Sequence, residues 1–274
     1  MIEKRDFVIW LISFFEAEGG IITRKSPSGR LSFTVEIDQK DPRLLSMIAQ
    51  RLGYGTTSRT TRKDGSVIWR YAAISTCQVD PHTHLLNGNL VTKRKRTQFR
   101  RWMARRRATG RFRRDPRVRR CHPAVSRLHA WWGGFAEGDA GFSIENLHVG
   151  RRKFVFTTKF YLSRMRAVPL LRAVLAFWKS DVKIQFKTNL NPHHRIEMTR
   201  LDTIKVLTNY FRRYPFRSQR RVMMARWRRF VDWKINGPPP VDSTNRRRLQ
   251  LLAEHLNAGS GYGLRLKRFP KMEG

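Results

Sequence analysis

Two short segments with the same acid–small–acid pattern hold the residues that could do chemistry. Residues 14–19 read Phe-Phe-Glu-Ala-Glu-Gly, and residues 135–140, 121 positions later, read Phe-Ala-Glu-Gly-Asp-Ala. If the ends of these segments meet, the final acids Glu18 and Asp139 come together, and two carboxylates repel each other unless protons or divalent cations intervene. Cations that bridge carboxylates to a phosphodiester activate water and stabilise the leaving oxygen. The pair therefore indicates metal-dependent phosphodiester hydrolysis.

Small residues accompany these acids at a spacing that would let two helices approach closely. They are four apart and so share one face of each predicted helix: Ser13 with Ala17, and Gly134 with Gly138. Helices packed through such faces bring their backbones together because no bulky side chain separates them. Acids two apart point in different directions. We therefore expect one acid of each helix at the seam, and Glu16 and Glu137 as solvated or capping acids.

The segments that follow the two motifs predict the same series of elements. After the first motif, the sequence predicts a half-buried strand, a helix and two strands, at residues 31–38, from 41–42 and at 55–74. After the second, it predicts a strand, a helix, two strands and a helix, at residues 154–162, 169–178, 182–187, 195–198 and from Asp202. This order predicts an α+β protein in which the series helix, strands, helix, strands, helix occurs twice.

The balance of charge favours a polyanionic partner. The chain has 57 Lys and Arg against 20 Asp and Glu, for a formal charge of +37, while 40% hydrophobic and 11% aromatic residues supply a core and exclude a disordered basic tail. Nucleic acid is the expected partner, and an anionic membrane surface is the competitor. The longest apolar run, residues 7–15, has about half the length of a spanning helix, so no membrane span is expected. Two cysteines cannot form a disulfide framework.

These motifs resemble those of the LAGLIDADG homing endonuclease family. Besides the two acidic segments, the first half carries Val-Glu-Ile-Asp-Gln-Lys-Asp-Pro at 35–42 and Asn-Leu-Val-Thr-Lys-Arg-Lys at 89–95, and the second half carries the matching stretch 201–218. The resemblance spans residues 6–235. It implies a single-chain pseudo-dimer of two αββαββα repeats in which two saddle-shaped antiparallel sheets straddle a duplex. Apart from the resemblance, the apolar spacing of the last part of the chain predicts a short amphipathic helix, from about Thr244 to Leu256, as a C-terminal appendage.

The resemblance implies a metal site at the two motif acids. Carried over by position, Glu18 and Asp139 would hold Mg²⁺, or Mn²⁺, between the scissile phosphates. Ala140 departs from the pattern because the family usually has Gly at that position, although Gly141 follows it. If the fold served only to bind RNA, no cofactor would be implied.

The resemblance also implies a basic group beside the metals that organises water. Lys93 and Lys95 match this group in the first half, whereas Gln219 replaces the lysine that the family commonly has in the second. Arg220 or Arg221 could substitute for it in charge. One half-site is therefore expected to be weaker than the other.

Basic residues are expected to contact phosphate along much of the chain. The segment from Lys93 to Arg120 holds 15 Lys and Arg and one acid, which predicts a connector that is not buried and that contacts phosphate. The predicted nucleic-acid-binding set joins this segment to basic positions on the strands and near the second motif's basic group: Arg24, Lys25, Arg94, Arg105, Arg106, Arg107, Arg113, Arg114, Lys159, Lys183, Lys187, Arg217, Arg220 and Arg221.

The predicted domain organisation follows the two motifs. Residues 1–102 form the first repeat, 103–127 a basic linker, 128–236 the second repeat, and 237–274 an extension that opens with three prolines. Because one chain supplies both motif helices, a monomeric pseudo-dimer is expected. No targeting peptide is visible, which fits synthesis in the matrix of a mitochondrion or chloroplast, and bacterial or phage origin fits equally.

Two functions remain open at this point. The first is a site-specific DNA endonuclease that reads a long duplex through sheet side chains in the major groove. The second is a non-catalytic RNA-binding protein on the same fold, such as an rRNA-binding component of an organellar ribosome or an intron maturase, which the charge density and the basic C-terminus favour. The two intact acids rank the endonuclease first.

Overall fold

The computed structural model describes residues 2–62, 64–110, 112, 116–119, 129–149, 154–188, 192–237 and 243–259. Within these ranges the protein is mixed α+β, with nine helices and two four-stranded antiparallel sheets, which confirms the predicted fold class. None of the described helices is long and apolar enough to cross a membrane. The chain divides into two compact units, Met1–Asp139 with Tyr214–Gln219, and Ala140–Arg213 with Arg220–Gly274.

The first unit contains the first repeat and the motif helix of the second. Its elements are α1 Ile2–Glu18, β1 Gly19–Lys25, β2 Leu31–Gln39, α2 Pro42–Leu52, β3 Thr56–Thr61, β4 Val67–Ala73, α3 Thr76–Leu86, α4 Lys93–Ala108 and α5 His129–Asp139. Its strands pair in the order β1-β2-β4-β3. In β2, Phe33, Val35 and Ile37 are buried in the core, because alternate residues of a strand share one face. The strand predicted at 31–38 is confirmed.

The second unit repeats this arrangement of strands. Its elements are β5 Ala140–Val149, β6 Phe154–Arg164, α6 Val168–Phe177, β7 Gln185–Lys187, β8 His193–Met198, α7 Leu201–Arg213, α8 Arg220–Asn236 and α9 Ser243–Gly259. The strands pair in the order β5-β6-β8-β7. Phe142 forms the centre of an aromatic core, with ring centroids 5.1 to 6.1 Å from those of Phe160, Phe211 and Trp227.

The start of α2 follows the predicted capping pattern. Asp41 accepts a hydrogen bond from the Arg43 N–H at 3.0 Å, and Pro42 occupies the first turn, where its missing N–H costs nothing. The helix ends at Gly53, whose φ of 74° is a left-handed conformation that glycine adopts without strain. The sequence therefore specifies both ends of this helix locally.

Helix α4 corrects the prediction that the basic segment is not buried. One face of α4 packs into the core of the first unit through Phe99, Trp102 and Met103, and the Trp102 indole N–H donates to the Ile22 carbonyl at 3.1 Å. The helix continues to Ala108, so the first residues assigned to the linker at 103–127 are helical. A few apolar side chains at helical spacing outweigh the many charges around them, because the charged groups can point away from the core.

The sequence did not locate the first strand of each repeat. Both β1 and β5 begin at the residue after the motif acid, at Gly19 and Ala140, with no turn to mark the change from helix to strand. Gly19 and Gly20 are residues suited to a helix end, but here they are the first two residues of β1. The strands predicted at 182–187 and 195–198 are present with different bounds, as β7 and β8.

The C-terminal helix α9 packs against β5 and is an integral part of the second unit. The buried Asn257 side chain donates to the Ile144 carbonyl at 2.8 Å and accepts from the Ile144 N–H at 2.9 Å. Because β5 lies at the edge of its sheet, Asn257 supplies the hydrogen bonds that a further strand would otherwise make. The helix predicted from Thr244 to Leu256 is therefore longer, and is more than an appendage.

Candidate active site at the paired motif helices

Helices α1 and α5 pack at the distance that only glycine permits. A Cβ atom at Gly134 would overlap the Trp10 carbonyl and the Ser13 hydroxyl, and a Cβ atom at Gly138 would overlap the Cβ of Ala17. The structure thus brings together the two small-residue faces. Both helices belong to the first unit, so the motif helix of the second repeat is part of the same compact unit as the first repeat.

This close packing brings the two motif acids to the same end of the seam. The position of a Cβ atom on Gly138 is 3.0 Å from Glu18 Cγ and 3.4 Å from Glu18 Oε1, and Asp139 is the next residue. Residues 130–138 of α5 are buried, whereas Glu18 and Asp139 are half-exposed. The seam therefore ends in two carboxylates that solvent can reach.

The other motif acid of α1, Glu16, is a buried capping group. It is fully buried, and its carboxylate accepts hydrogen bonds from the backbone N–H groups of Val91 and Thr92, immediately before α4 begins. The alternative that Glu16 is solvated is wrong. A carboxylate at a helix N-terminus satisfies N–H groups that have no partner within the helix, so Glu16 anchors the start of α4 to the end of α1.

Glu137 repeats this arrangement in α5. Its buried carboxylate accepts from the Trp10 indole at 2.7 Å and from the backbone N–H groups of Arg217 and Ser218 at 2.7 and 2.5 Å. Burial raises the pKa of Glu137, and the N–H donors offset only part of that increase. The peptide groups that it binds lie just before α8, so each motif glutamate holds the start of a basic helix.

The first of these helices places a lysine at the end of the motif. The buried Lys95 ammonium group donates to the carbonyl of Gly19, one residue after Glu18, and lies 5.2 Å from the centre of the Phe15 ring. Lys93 lies on the exposed side of the same helix. Of the two predicted basic residues, the structure therefore brings Lys95 to the motif.

In the second repeat Arg220 makes the corresponding hydrogen bond. Its guanidinium donates to the carbonyl of Ala140, one residue after Asp139. The Gln219 side chain is exposed, while its backbone N–H donates to Asp41 Oδ2 at 3.0 Å. The suggestion that Arg220 could replace the lost lysine charge thus has a structural basis, and Gln219 contributes through its backbone.

The polar face of the first sheet carries an ion-pair network. Arg24 pairs with Glu36 at 2.6 Å and donates to Thr34 at 2.8 Å, and Arg70 makes a bidentate pair with Asp38 at 2.7 and 2.9 Å. Burial acts to raise the pKa of Glu36, but the hydrogen bonds from Arg24 and Thr34 and the Arg70 charge lower it overall. This face presents hydrogen-bond donors and acceptors side by side.

The second sheet has a comparable network. Lys159 bridges Glu145 at 2.7 Å and Glu197 at 3.0 Å, and Arg195 pairs with Glu197 at 2.6 Å while lying 3.9 Å from the centre of the Tyr161 ring. Lys159 was predicted as a nucleic-acid contact and is mostly buried within this network. Two other predicted contacts are Lys183, which lies before β7 and is exposed, and Lys187, which ends β7 and is half-exposed.

Arg106 corrects the predicted set of phosphate contacts. Its side chain is buried, pairs with Asp80 at 2.6 Å, donates to Thr83 at 3.1 Å and lies 4.3 Å from the centre of the Phe112 ring. Desolvation lowers the pKa of Arg106, and Asp80 acts in the opposite direction. This guanidinium is used in the fold, because a buried charge requires a partner.

The other predicted basic contacts differ in their surroundings. Arg107 donates to the Pro116 carbonyl at 2.6 Å, and the Arg217 guanidinium lies 5.6 and 5.3 Å from the ring centres of Phe7 and Trp10. Several are exposed: Lys25, Arg94, Arg105 and Arg221. Two lie outside the described residues: Arg113 and Arg114.

The fold and the seam together define a single chain built from two similar repeats. Each repeat opens with a motif helix that ends in an acid and continues directly into a four-stranded antiparallel sheet. The two motif helices pack through Ser13, Ala17, Gly134 and Gly138. No family model and no curated protein matches the sequence, so the likeness to known proteins is carried by the structure.

Solved LAGLIDADG nucleases share this fold. The meganuclease I-AabMI bound to uncleaved DNA superposes with a TM-score of 0.71 and 14% identity, covering 92% of this chain and 99% of that one. I-SmaMI bound to uncleavable DNA gives a TM-score of 0.72 and 16% identity, with coverage of 92% and 99%. The I-SmaMI homing endonuclease bound to cleaved DNA gives 0.68 and 16%, with 92% and 97%. The LAGLIDADG fold inferred from the motifs is confirmed.

Proposed function

We propose that this protein is a site-specific DNA endonuclease that hydrolyses phosphodiesters in a long duplex with the help of divalent metal ions. The supporting observation is the position of the Glu18 carboxylate against Gly138, directly beside Asp139. Two half-exposed carboxylates at the end of a tightly packed seam repel each other unless a cation lies between them. The two glycines allow α1 and α5 to approach closely, and such close packing is expected if the two acids act together.

The donor set at the seam fits a hard divalent cation. Glu18 and Asp139 offer only carboxylate oxygens, which Mg²⁺ and Mn²⁺ prefer. In the part of the chain that is described, no group of three or more His, Cys, Asp or Glu side chains could hold a metal. The remaining ligands would therefore be phosphate oxygens and water, as is usual for Mg²⁺ at sites that handle phosphates. I-SmaMI bound to its uncleaved DNA target in the presence of calcium ions supports the use of divalent metal in this fold.

Metal ions held there would supply an activated water and a stabilising charge on the leaving oxygen. The residues of this chain have their own part in the reaction. Lys95 and Arg220 bind the carbonyls that follow the two acids, which fixes the backbone that carries each carboxylate. Their positive charges also stabilise the charge that builds up on a phosphate in the transition state. Glu16 and Glu137 hold the helices that carry these cations.

The polar faces of the sheets are suited to reading bases. Each carries basic and acidic side chains together, such as Arg70 with Asp38 and Lys159 with Glu197. Base edges in the major groove present both donors and acceptors, so a mixed face can discriminate among base pairs. The net charge of +37 supplies the part of the affinity that does not depend on sequence. We propose that the protein acts as a monomer, because one chain holds both acids.

The test is cleavage of a library of DNA duplexes, including the DNA around the protein's own coding locus, with Mg²⁺, Mn²⁺ or EDTA. The wild type should cut DNA only when Mg²⁺ or Mn²⁺ is present. Glu18→Gln or Asp139→Asn should abolish cutting and leave the affinity for DNA unchanged or higher. Asp232→Asn, which removes an exposed acid on α8, is the matched control and should cut normally. Cutting by both seam variants, or none by the wild type with either metal, would refute the proposal.

A further inference from the structure

One carboxylate of the first repeat binds the chain just before the helix that carries Arg220. Asp41, which precedes α2, is buried. Its Oδ1 accepts a hydrogen bond from the Arg43 N–H, and its Oδ2 accepts one from the Gln219 N–H, both at 3.0 Å. The two oxygens of Asp41 therefore have separate partners, one in α2 and one that lies 178 residues away in the sequence.

The contact with Asp41 extends a row of bound peptide N–H groups in front of α8. Glu137 accepts hydrogen bonds from the N–H groups of residues 217 and 218, and Asp41 accepts one from the next residue, Gln219. Helix α8 begins directly afterwards, at Arg220. N–H groups at the start of a helix have no partner within the helix, and they attract carboxylates. The two acids together therefore fix the backbone that leads into α8.

Arg220 is the functional side chain that depends on this backbone. Its guanidinium donates to the carbonyl of Ala140, which follows the motif acid Asp139. Gln219 precedes it directly, so the hydrogen bond from the Gln219 N–H to Asp41 restricts the peptide from which the Arg220 side chain extends. A long side chain reaches one target more often when its own backbone is fixed, because fewer conformations compete.

In the described part of the chain, this support passes in one direction between the repeats. Glu16 binds the N–H groups of Val91 and Thr92 in front of α4, which is the arrangement that both repeats share. The residue that corresponds to Asp41 in the second repeat is Ala167, the N-cap of α6, which makes no capping hydrogen bond through its side chain. An alanine side chain has no acceptor, so it cannot return the contact.

We propose that Asp41 is a positioning residue for the second half-site, where it holds the start of α8 so that the Arg220 guanidinium reaches the carbonyl after Asp139. This inference rests on the proposed endonuclease function. Asp41 acts through Gln219 and Arg220 and not on the substrate. The half-site of Lys95 does not use this carboxylate, because Lys95 reaches the Gly19 carbonyl from α4. Loss of Asp41 should therefore affect the two strands of a duplex unequally.

The test variant is Asp41→Ser, which separates the two partners of the carboxylate. Serine is as good an N-cap as aspartate, so α2 keeps its start, but one short hydroxyl cannot also accept from the Gln219 N–H. The control variant is Gly53→Ala, at the other end of α2. A Cβ atom there would meet nothing within 4 Å, but its φ of 74° strains alanine. The control therefore weakens α2 and leaves Gln219 alone.

Amide hydrogen exchange of the full chain, without DNA, measures the contact itself. In Asp41→Ser the amides of Gln219 and of the first turn of α8 should exchange about tenfold faster than in the wild type, as expected for the loss of one hydrogen bond. The amides of α2 should change no more than they do in Gly53→Ala. Unchanged exchange at Gln219 would overturn the proposal, whatever the variant does to activity.

Strand-specific cleavage measures the consequence for the reaction. On a duplex that carries the cleaved site and is labelled on each strand in turn, Asp41→Ser should change the ratio of the two cleavage rates by about tenfold. Gly53→Ala should leave this ratio unchanged. Arg220→Gln should shift the ratio in the same direction, and adding Asp41→Ser to it should cause no further shift, because both substitutions act through one guanidinium.

Two results of the cleavage assay would contradict the positioning role. One is equal slowing of both strands by Asp41→Ser, and the other is additive effects of Asp41→Ser and Arg220→Gln. A wild type that cuts neither strand is a separate result, because it refutes the endonuclease proposal. The exchange measurement then decides by itself whether Asp41 holds the start of α8.

Discussion

Substitution of Gly138 by Ala tests the claim that close packing of α1 and α5 sets up the acid pair. The new methyl group would overlap the Cβ of Ala17 and lie 3.0 Å from Glu18 Cγ. Carbon atoms pack best at about 3.5 to 4.0 Å, so the helices must separate by on the order of 1 Å. The change therefore acts on the seam and on the spacing of the two carboxylates together.

The expected cost follows from two opposing effects. Overpacking of a tight interface costs about 1 to 3 kcal/mol, whereas replacing Gly by Ala within a helix gains up to about 1 kcal/mol from helix propensity. We expect a net destabilisation of about 1 to 2 kcal/mol, which corresponds to a fall in Tm of about 2 to 8 °C for a chain of this size. Gly134→Ala should cost more, because the atoms that it meets include the backbone carbonyl of Trp10, which cannot rotate away.

Thermal unfolding followed by circular dichroism measures this effect, and Gly20→Ala is the control. A Cβ atom at Gly20 would meet only Ile22 at 3.5 Å, so its Tm should change little. The order of stability should be Gly20→Ala, then Gly138→Ala, then Gly134→Ala. If either seam variant is as stable as the wild type, the inference that these helices approach at glycine distance is wrong.

Three further predictions concern buried polar groups. Glu137→Ala should cost about 3 kcal/mol or more in chemical denaturation, because the Trp10 indole and two backbone N–H groups lose their acceptor. Asn257→Ala should cost about 2 to 4 kcal/mol, because it leaves the Ile144 N–H and carbonyl unpaired, and a wild-type Tm would contradict this. Burial lowers the pKa of His82 from 6.5 to about 4. As the pH falls from 6.5 to 4, His82 takes up a proton in the unfolded chain but not in the folded chain. The free energy of unfolding should therefore decrease by about 3 kcal/mol over this range. His82→Phe should remove that part of the pH dependence, and an unchanged pH profile would refute it.

The sequence predicted the parts of the site that depend on local spacing. Ser13 with Ala17 and Gly134 with Gly138 are four apart, which is a property of the helix alone, and side-chain size then indicates where two backbones can approach. The acids Glu18 and Asp139 follow these faces directly, so their place at the end of the seam could be read from the sequence. The alternation of residues 31–38 fixed one strand for the same reason, because its period is local.

The average composition of a segment was misleading where a few apolar residues decide whether it is buried. The basic segment containing α4 was expected to be unburied, yet Phe99, Trp102 and Met103 bury one face of it. Arg106 is on that face and requires Asp80 as its partner. The average charge of the segment does not reveal the buried face of α4. Burial of three large apolar side chains stabilises the helix by more than the surrounding charges destabilise it.

Only the tertiary structure decided how the polar groups around the motifs are satisfied. Glu16 and Glu137 were assigned no definite partner from the sequence, and each holds the N-terminus of a helix that follows 75 or more residues later. Arg220, rather than Gln219, binds the carbonyl after the second motif acid. The spacing of apolar residues in the sequence specifies which face of a helix or strand is buried. The partner of a buried hydrogen-bonding group instead depends on which distant backbone segment lies beside it, and the packing of the whole unit fixes that.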